Sequence, residues 1–189
     1  VLAHGLFQRY RAWLAEAGYA GVAEFHYLHH APGGSPYGDL AEMTARPSLQ
    51  GLNIVATVPA QHSYGFESTV MLSLLGGAAF DAGRPFYPAD VAQALQRVPR
   101  PRALVTTPFH LKTLLLSGVA LPHVDLLLCA TAPLTPQLAA LAEQTMGGPL
   151  IEIYGCTEAG QPATRRTTQG QTWTTLGEVR ITQSSDETF

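Results

Sequence analysis

From Leu52 onward, short apolar runs alternate with stretches of helical periodicity. Leu52–Val58, Ala78–Phe80, Ala103–Thr106, Val124–Cys129 and Leu150–Tyr154 read as strands, bounded by turn residues. Between them the spacing predicts helices over Phe66–Leu75, Asp90–Val98, Phe109–Leu116 and Gln137–Met146. The glycine pairs Gly76-Gly77 and Gly147-Gly148 are stop signals. Thr107 before Pro108, and Thr135 before Pro136, each pair a capping hydroxyl with a proline suited to the first helical turn. Strands alternating with helices of about ten residues imply βαβ units. The expected fold is therefore α/β, with a largely parallel sheet flanked by helices. After Pro162 the texture changes: Ala163–Thr168 and Thr172–Thr182 are rich in Thr and branched residues, and predict a few short antiparallel strands. Ligand sites in parallel sheets lie beyond the carboxyl ends of the strands. That expectation puts Pro59–Gly65, Ala130–Pro133 and Gly155–Gly160 on one rim.

The first fifty residues are less regular. Leu6–Glu16 has Leu6, Tyr10, Trp13, Leu14 and Ala17 at helical spacing, and His26–Asp39 is a loop rich in His, Gly and Pro. The expected organisation is an irregular segment with one helix over 1–51, an α/β unit over 52–161, and a short β segment over 162–189.

Composition narrows the function. Hydrophobic residues make up 46% of the 189 and charged residues 13%, too apolar for a disordered chain. The low charge suggests a surface covered by the remaining domains of a longer parent chain. The net charge is −3 and no Lys/Arg run exists, so a nucleic-acid partner is not expected. The basic residues are ten Arg and a single Lys, Lys112. Cys129 and Cys156, far apart, suggest no disulfide framework. No apolar run approaches the length of a membrane span. The Val1-Leu2-Ala3-His4 start has no signal-peptide layout, and the chain reads as trimmed at both ends, with a cytoplasmic setting as the default.

The chemistry concentrates in Ile151-Glu152-Ile153-Tyr154-Gly155-Cys156-Thr157-Glu158-Ala159-Gly160, an apolar strand entering a glycine turn. Such a turn can offer backbone groups and a hydroxyl to a phosphate, and a carboxylate to Mg²⁺. An aromatic at the strand end can stack on a base. The same residues also fit a plain strand and turn with a solvated Thr–Glu pair.

Two further segments extend the pattern. The Tyr154–Glu158 run resembles the Tyr-Gly-x-Thr-Glu motif of the adenylate-forming superfamily, which includes acyl-CoA and aryl-CoA synthetases. Ala130-Thr131-Ala132-Pro133-Leu134-Thr135 resembles that family's Gly-Gly-Ala-Pro-Leu loop. Val58-Pro59-Ala60-Gln61-His62-Ser63-Tyr64-Gly65 resembles its Pro-x-x-His-x-x-Gly segment. His62 and Tyr154 are 92 positions apart, close to the family gap. The resemblance runs from about Leu52 to Ile181 and marks the chain as a central fragment of the family's large N-terminal domain.

Several roles are implied by this resemblance. Tyr154 stacks on adenine, with Gly155 and Cys156 near it. Ala130, Thr131, Ala132 and Pro133 line the adenine side, although the family has Gly where Ala130 and Thr131 stand. Thr157 hydrogen-bonds the α-phosphate and Glu158 binds Mg²⁺, making these two the catalytic pair. His62, Tyr64 and Gly65 lie at the acyl pocket. The implied reaction activates a fatty or aromatic carboxylate with ATP to an acyl-adenylate, releasing pyrophosphate. The acyl group then passes to the thiol of coenzyme A or of the phosphopantetheine arm of an acyl carrier protein.

Parts of the family's machinery are not found in these 189 residues. The Gly/Ser-rich candidate for a phosphate loop, Ala31-Pro32-Gly33-Gly34-Ser35-Pro36-Tyr37-Gly38, lacks the Lys and lies close to His62. Asp186 lacks the Thr-Gly context of the ribose-binding Asp. Lys112 falls in a helical pattern, where it faces solvent. The chain alone is therefore expected to be inactive, and a non-catalytic nucleotide-binding or interaction domain derived from the same fold is the alternative. His26, His29 and His30, with Glu24 and Asp39, read as polar loop residues rather than a zinc set. A hydrolase using Ser63 or Ser68 with His62 or His110 lacks the Gly-x-Ser-x-Gly elbow.

Overall fold

A computed structural model describes residues 50–156, 160–176 and 179–181. Five strands are mutually parallel: β1 (Asn53–Ala56), β2 (Ala79–Phe80), β3 (Arg102–Thr106), β4 (Leu126–Cys129) and β5 (Leu150–Cys156). Two more, β6 (Gly160–Arg165) and β7 (Thr174–Thr175), add antiparallel to β5. The sheet order is β2-β1-β3-β4-β5-β6-β7. The expected α/β architecture and its late antiparallel strands are thus both present.

The apolar runs are continuous because both faces of the parallel sheet are covered. Alternate side chains enter separate cores. Val55, Leu104, Leu127, Cys129 and Leu150 meet Val91, Leu95, Leu111, Ala139 and Met146 on one face. Those partners come from α2 (Pro88–Arg97), α3 (Pro108–Leu116) and α4 (Pro136–Met146). On the other face Ile54, Ala103, Val105, Leu128 and Ile153 pack with Tyr64 and Leu72 of the first described helix, α1 (Ser63–Gly76).

Helix ends follow their local chemistry. Thr107 accepts the His110 N–H and Thr135 the Leu138 N–H, both at 3.3 Å, with Pro108 and Pro136 in the first turns. Gly77 and Gly147 take left-handed backbone (φ 68 and 86) just past α1 and α4, where a Cβ would be strained.

Strand β6 starts three residues before the predicted Ala163, and the predicted Thr172–Thr182 strand is present only as Thr174–Thr175 among the described residues; two further elements differ more. Helix α1 begins at Ser63, three residues before the predicted start. It runs as α-helix over Ser63–Gly65, π-helix over Phe66–Met71 and α-helix over Leu72–Gly76. Its buried side is not uniformly apolar, since Glu67, Ser68 and Thr69 are all buried. The Thr69 and Ser73 hydroxyls donate to carbonyls four residues back, at 2.6 and 2.8 Å, which satisfies polar groups that periodicity assigns to solvent. Strand β5 also continues past Tyr154 to Cys156. Gly155 is a strand position rather than a turn, because β6 folds back and pairs Tyr154 with Ala163 and Cys156 with Gly160.

The amino ends of β3 and β4 are joined by Asp125. Its carboxylate accepts the Arg102 N–H at 2.9 Å and the Arg100 guanidinium. Hydrogen bonding from Arg100 holds the Asp125 carboxyl at about 2, against the opposing effect of desolvation. A depressed carboxyl contributes stability above its unfolded pKa and loses it as pH falls through the folded value. Asp125→Asn should therefore cost about 1 kcal/mol at pH 7, the scale left to a solvent-screened pair. Urea unfolding should show the difference shrinking between about pH 4 and pH 2, and a constant difference would refute the assignment.

Candidate functional site

The in-register pairing of Ala56 with Val105, Thr106 with Cys129 and Cys129 with Glu152 brings the carboxyl ends of the parallel strands to one rim. The loop after β1 is shaped by backbone contacts. The Pro59 carbonyl accepts the His62 N–H at 3.1 Å, and the His62 carbonyl accepts the Phe66 N–H at 2.7 Å. Gly65 packs so closely that a Cβ there would meet the Pro59 oxygen at 2.1 Å. His62 is exposed, while Tyr64 is buried. The Tyr64 hydroxyl donates to the Thr106 carbonyl at 3.0 Å, and burial pushes its phenol well above the ordinary value. Tyr64 therefore anchors the loop from beneath.

Three residues on this rim are not singled out by motif. The Thr57 and Thr106 hydroxyls are 2.9 Å apart, and His110 Nδ1 lies 3.2 Å from Thr57. The Phe86 ring meets His110 edge-on at 5.3 Å. The available signal is positional: Thr57 and Thr106 stand where apolar strand runs end.

In the loop after β4, Ala130 is buried and Thr131, Ala132 and Pro133 are exposed. Thr131 has φ 82, a left-handed conformation that a β-branched residue adopts only under strain. This accounts physically for a glycine preference at that position. The loop ends at Leu134, whose N–H donates to Glu152 Oε1 at 3.2 Å.

Glu152 is 4% exposed. Its second oxygen accepts from Arg165 Nε and from the Thr167 hydroxyl, both at 2.7 Å. Arg165 also lies over the Trp173 ring, 4.3 Å from its centroid. The Trp173 ring is 5.6 Å from Tyr154 at 58°. Tyr154 nevertheless stays 54% exposed, a flat surface open to a planar ligand. At Gly155 a Cβ would meet the Gly160 oxygen at 2.4 Å, so the hairpin requires glycine there. Cys156 is exposed and free, and Cys129 is buried and free. Burial, with the Glu152 charge adding, pushes the Cys129 thiol up to about 12, which leaves it a neutral core residue.

Thr157 and Glu158 lie outside the described residues, as do His26, His29 and His30. Among the described residues no group of three or more His, Cys, Asp or Glu could hold a metal, and no helix is long and apolar enough to cross a membrane. Lys112 is exposed on α3.

Replacing Thr131 by Gly relieves the left-handed strain, and should raise the unfolding free energy by about 1 kcal/mol. Replacing Gly65 by Ala forces backbone to move and should lower it by about 2 kcal/mol. Urea unfolding of both variants checks these opposite signs, and a destabilised Thr131→Gly would show that the hydroxyl or methyl outweighs the strain.

Residues 36–182 match the family model of the AMP-binding enzymes. No curated protein sequence matches the chain. Among solved structures, ATP-bound MatB from Rhodopseudomonas palustris is 19% identical, with a TM-score of 0.53 over 68% of this chain and 25% of that one. A benzoate CoA ligase from Burkholderia xenovorans is 17% identical, with a TM-score of 0.56 over 66% and 26%. An o-succinylbenzoate CoA synthetase double mutant from Bacillus subtilis, bound to its product analogue, is 20% identical, with a TM-score of 0.55 over 68% and 26%. The chain spans about a quarter of the length of each of these structures. With the sheet, the ordered motifs and the matched span in agreement, the chain belongs to the AMP-binding enzyme family.

Proposed function

We propose that the chain is the nucleotide-facing part of an AMP-forming acid–thiol ligase, which activates a carboxylate as its acyl-adenylate in the cytoplasm. The observation that carries this is the half-exposed Tyr154 ring on β5, with the Ala130–Pro133 loop tied to the same strand through Glu152. Tyr154 takes the adenine, and Ala130, Thr131, Ala132, Pro133, Gly155 and Cys156 line its surroundings. Thr157 donates to the α-phosphate. Glu158 is the Mg²⁺ ligand, and the ion, when bound, neutralises phosphate charge during the in-line displacement. His62 faces the acyl group, while Tyr64 and Gly65 set the shape of its loop. The acyl group leaves on coenzyme A or a carrier protein's phosphopantetheine. The likeness to ATP-bound MatB and to a benzoate CoA ligase supports this reading.

The fatty or aromatic nature of the acid is part of the same proposal. The chain's one lysine lies on the exposed side of α3, so these 189 residues alone are expected to show no pyrophosphate exchange.

AMP should bind the chain measurably by calorimetry, and Tyr154→Ala should weaken it about tenfold or more, the scale of one base–aromatic stack. Glu158→Ala should keep AMP binding but abolish its strengthening by Mg²⁺. Equal AMP affinity in Tyr154→Ala, or exchange at the rate of full-length ligases, would count against these assignments.

A further inference from the structure

We propose that Trp173 is a positioning residue for the nucleotide, holding the Tyr154 ring in the one orientation that receives adenine. This deepens the nucleotide-binding reading and rests on it. An exposed tyrosine on a strand is free to change rotamer, and a ring that must meet a base flat binds better when fixed beforehand. Glu152 and Tyr154 are two apart on β5, so their side chains share a face of the sheet. Glu152 pairs in register with Arg165 on β6. Continuing the Thr164–Thr174 register by one step sets Trp173 across from Arg165.

The four side chains form one connected row. The carboxylate holds the guanidinium at 2.7 Å, and the guanidinium covers the indole at 4.3 Å, a cation–π contact. The indole then meets Tyr154 at 5.6 Å. Because those rings are tilted by 58°, Trp173 touches Tyr154 without stacking flat upon it, and more than half of the tyrosine stays open. The other Glu152 oxygen holds Leu134 at the end of the Ala130–Pro133 loop. One buried carboxylate therefore sets both sides of the adenine site, and Trp173 is its reach to the stacking side.

The test uses the full chain carrying Trp13→Phe, which leaves Trp173 as its only tryptophan. AMP should quench Trp173 emission. Trp173→Leu should weaken AMP binding about tenfold, while Trp173→Phe keeps it within about threefold. Tight binding by Trp173→Leu, at an unchanged urea midpoint, overturns the proposal and leaves the nucleotide reading intact. Without ligand, Tyr154→Ala must shift Trp173 emission. An unchanged spectrum overturns the proposal even if the leucine variant does not fold. An unaltered chain that binds no AMP defeats the nucleotide reading and this role with it.

Discussion

The buried carboxylate of Glu152 is the interaction on which the rim depends. A charge at 4% exposure is tolerated only when its lone pairs are matched and a counter-charge is present. Here three donors converge from three places in the sequence: Leu134 N–H after β4, Arg165 on β6 and Thr167 beyond it. Losing any one of them leaves a buried carboxylate less well matched, so the loop, the antiparallel strand and its outgoing segment are tied to β5. The neighbouring segment is held a second time. Arg166 and Thr168 alternate with Arg165 and Thr167, and donate instead to Glu143 of α4. Burial opposes ionisation of Glu143, but the Arg166, Leu150 and Thr168 donors outweigh it and hold the carboxyl below its usual value. Two carboxylates thus strap one strand end to both the sheet and a helix.

Backbone constraints complete what the carboxylates begin. Gly65 and Gly155 are required by the close approach of a carbonyl oxygen, from Pro59 and Gly160 respectively. Gly65 lets its loop close against Pro59, and Gly155 lets β5 and β6 approach each other. Thr131 is the opposite case, a branched residue in a left-handed conformation. The Leu134–Glu152 hydrogen bond fixes the loop a few residues later, which is how strain at Thr131 can be sustained.

Much of this was legible in the sequence, for identifiable reasons. The β3 and β4 runs are apolar on both faces, so their strand character needed no periodicity. Thr107-Pro108 and Thr135-Pro136 marked helix starts through local hydrogen bonding alone. The illegible parts depend on contacts distant in sequence. Glu152 sits in an apolar run and reads as an interruption until Arg165 is placed opposite it. The extension of β5 through Gly155 needs β6 as a partner. The buried Glu67–Thr69 stretch follows from a π-helical turn that no 3.6-residue period anticipates.

That π-helical stretch bears on the His62 side of the rim. Its Ser68 hydroxyl accepts from the Gln161 side chain at 3.5 Å, and both residues are buried. Gln161 is one residue into β6, the strand that carries Arg165. Helix α1 and strand β6 are therefore in polar contact. A shift of β6 would be felt at Ser68 through this bond and at Tyr154 through Arg165 and Trp173. The α1 side and the Tyr154 side of the rim share β6 as their common support, and β6 is tied to the carboxylate of Glu152.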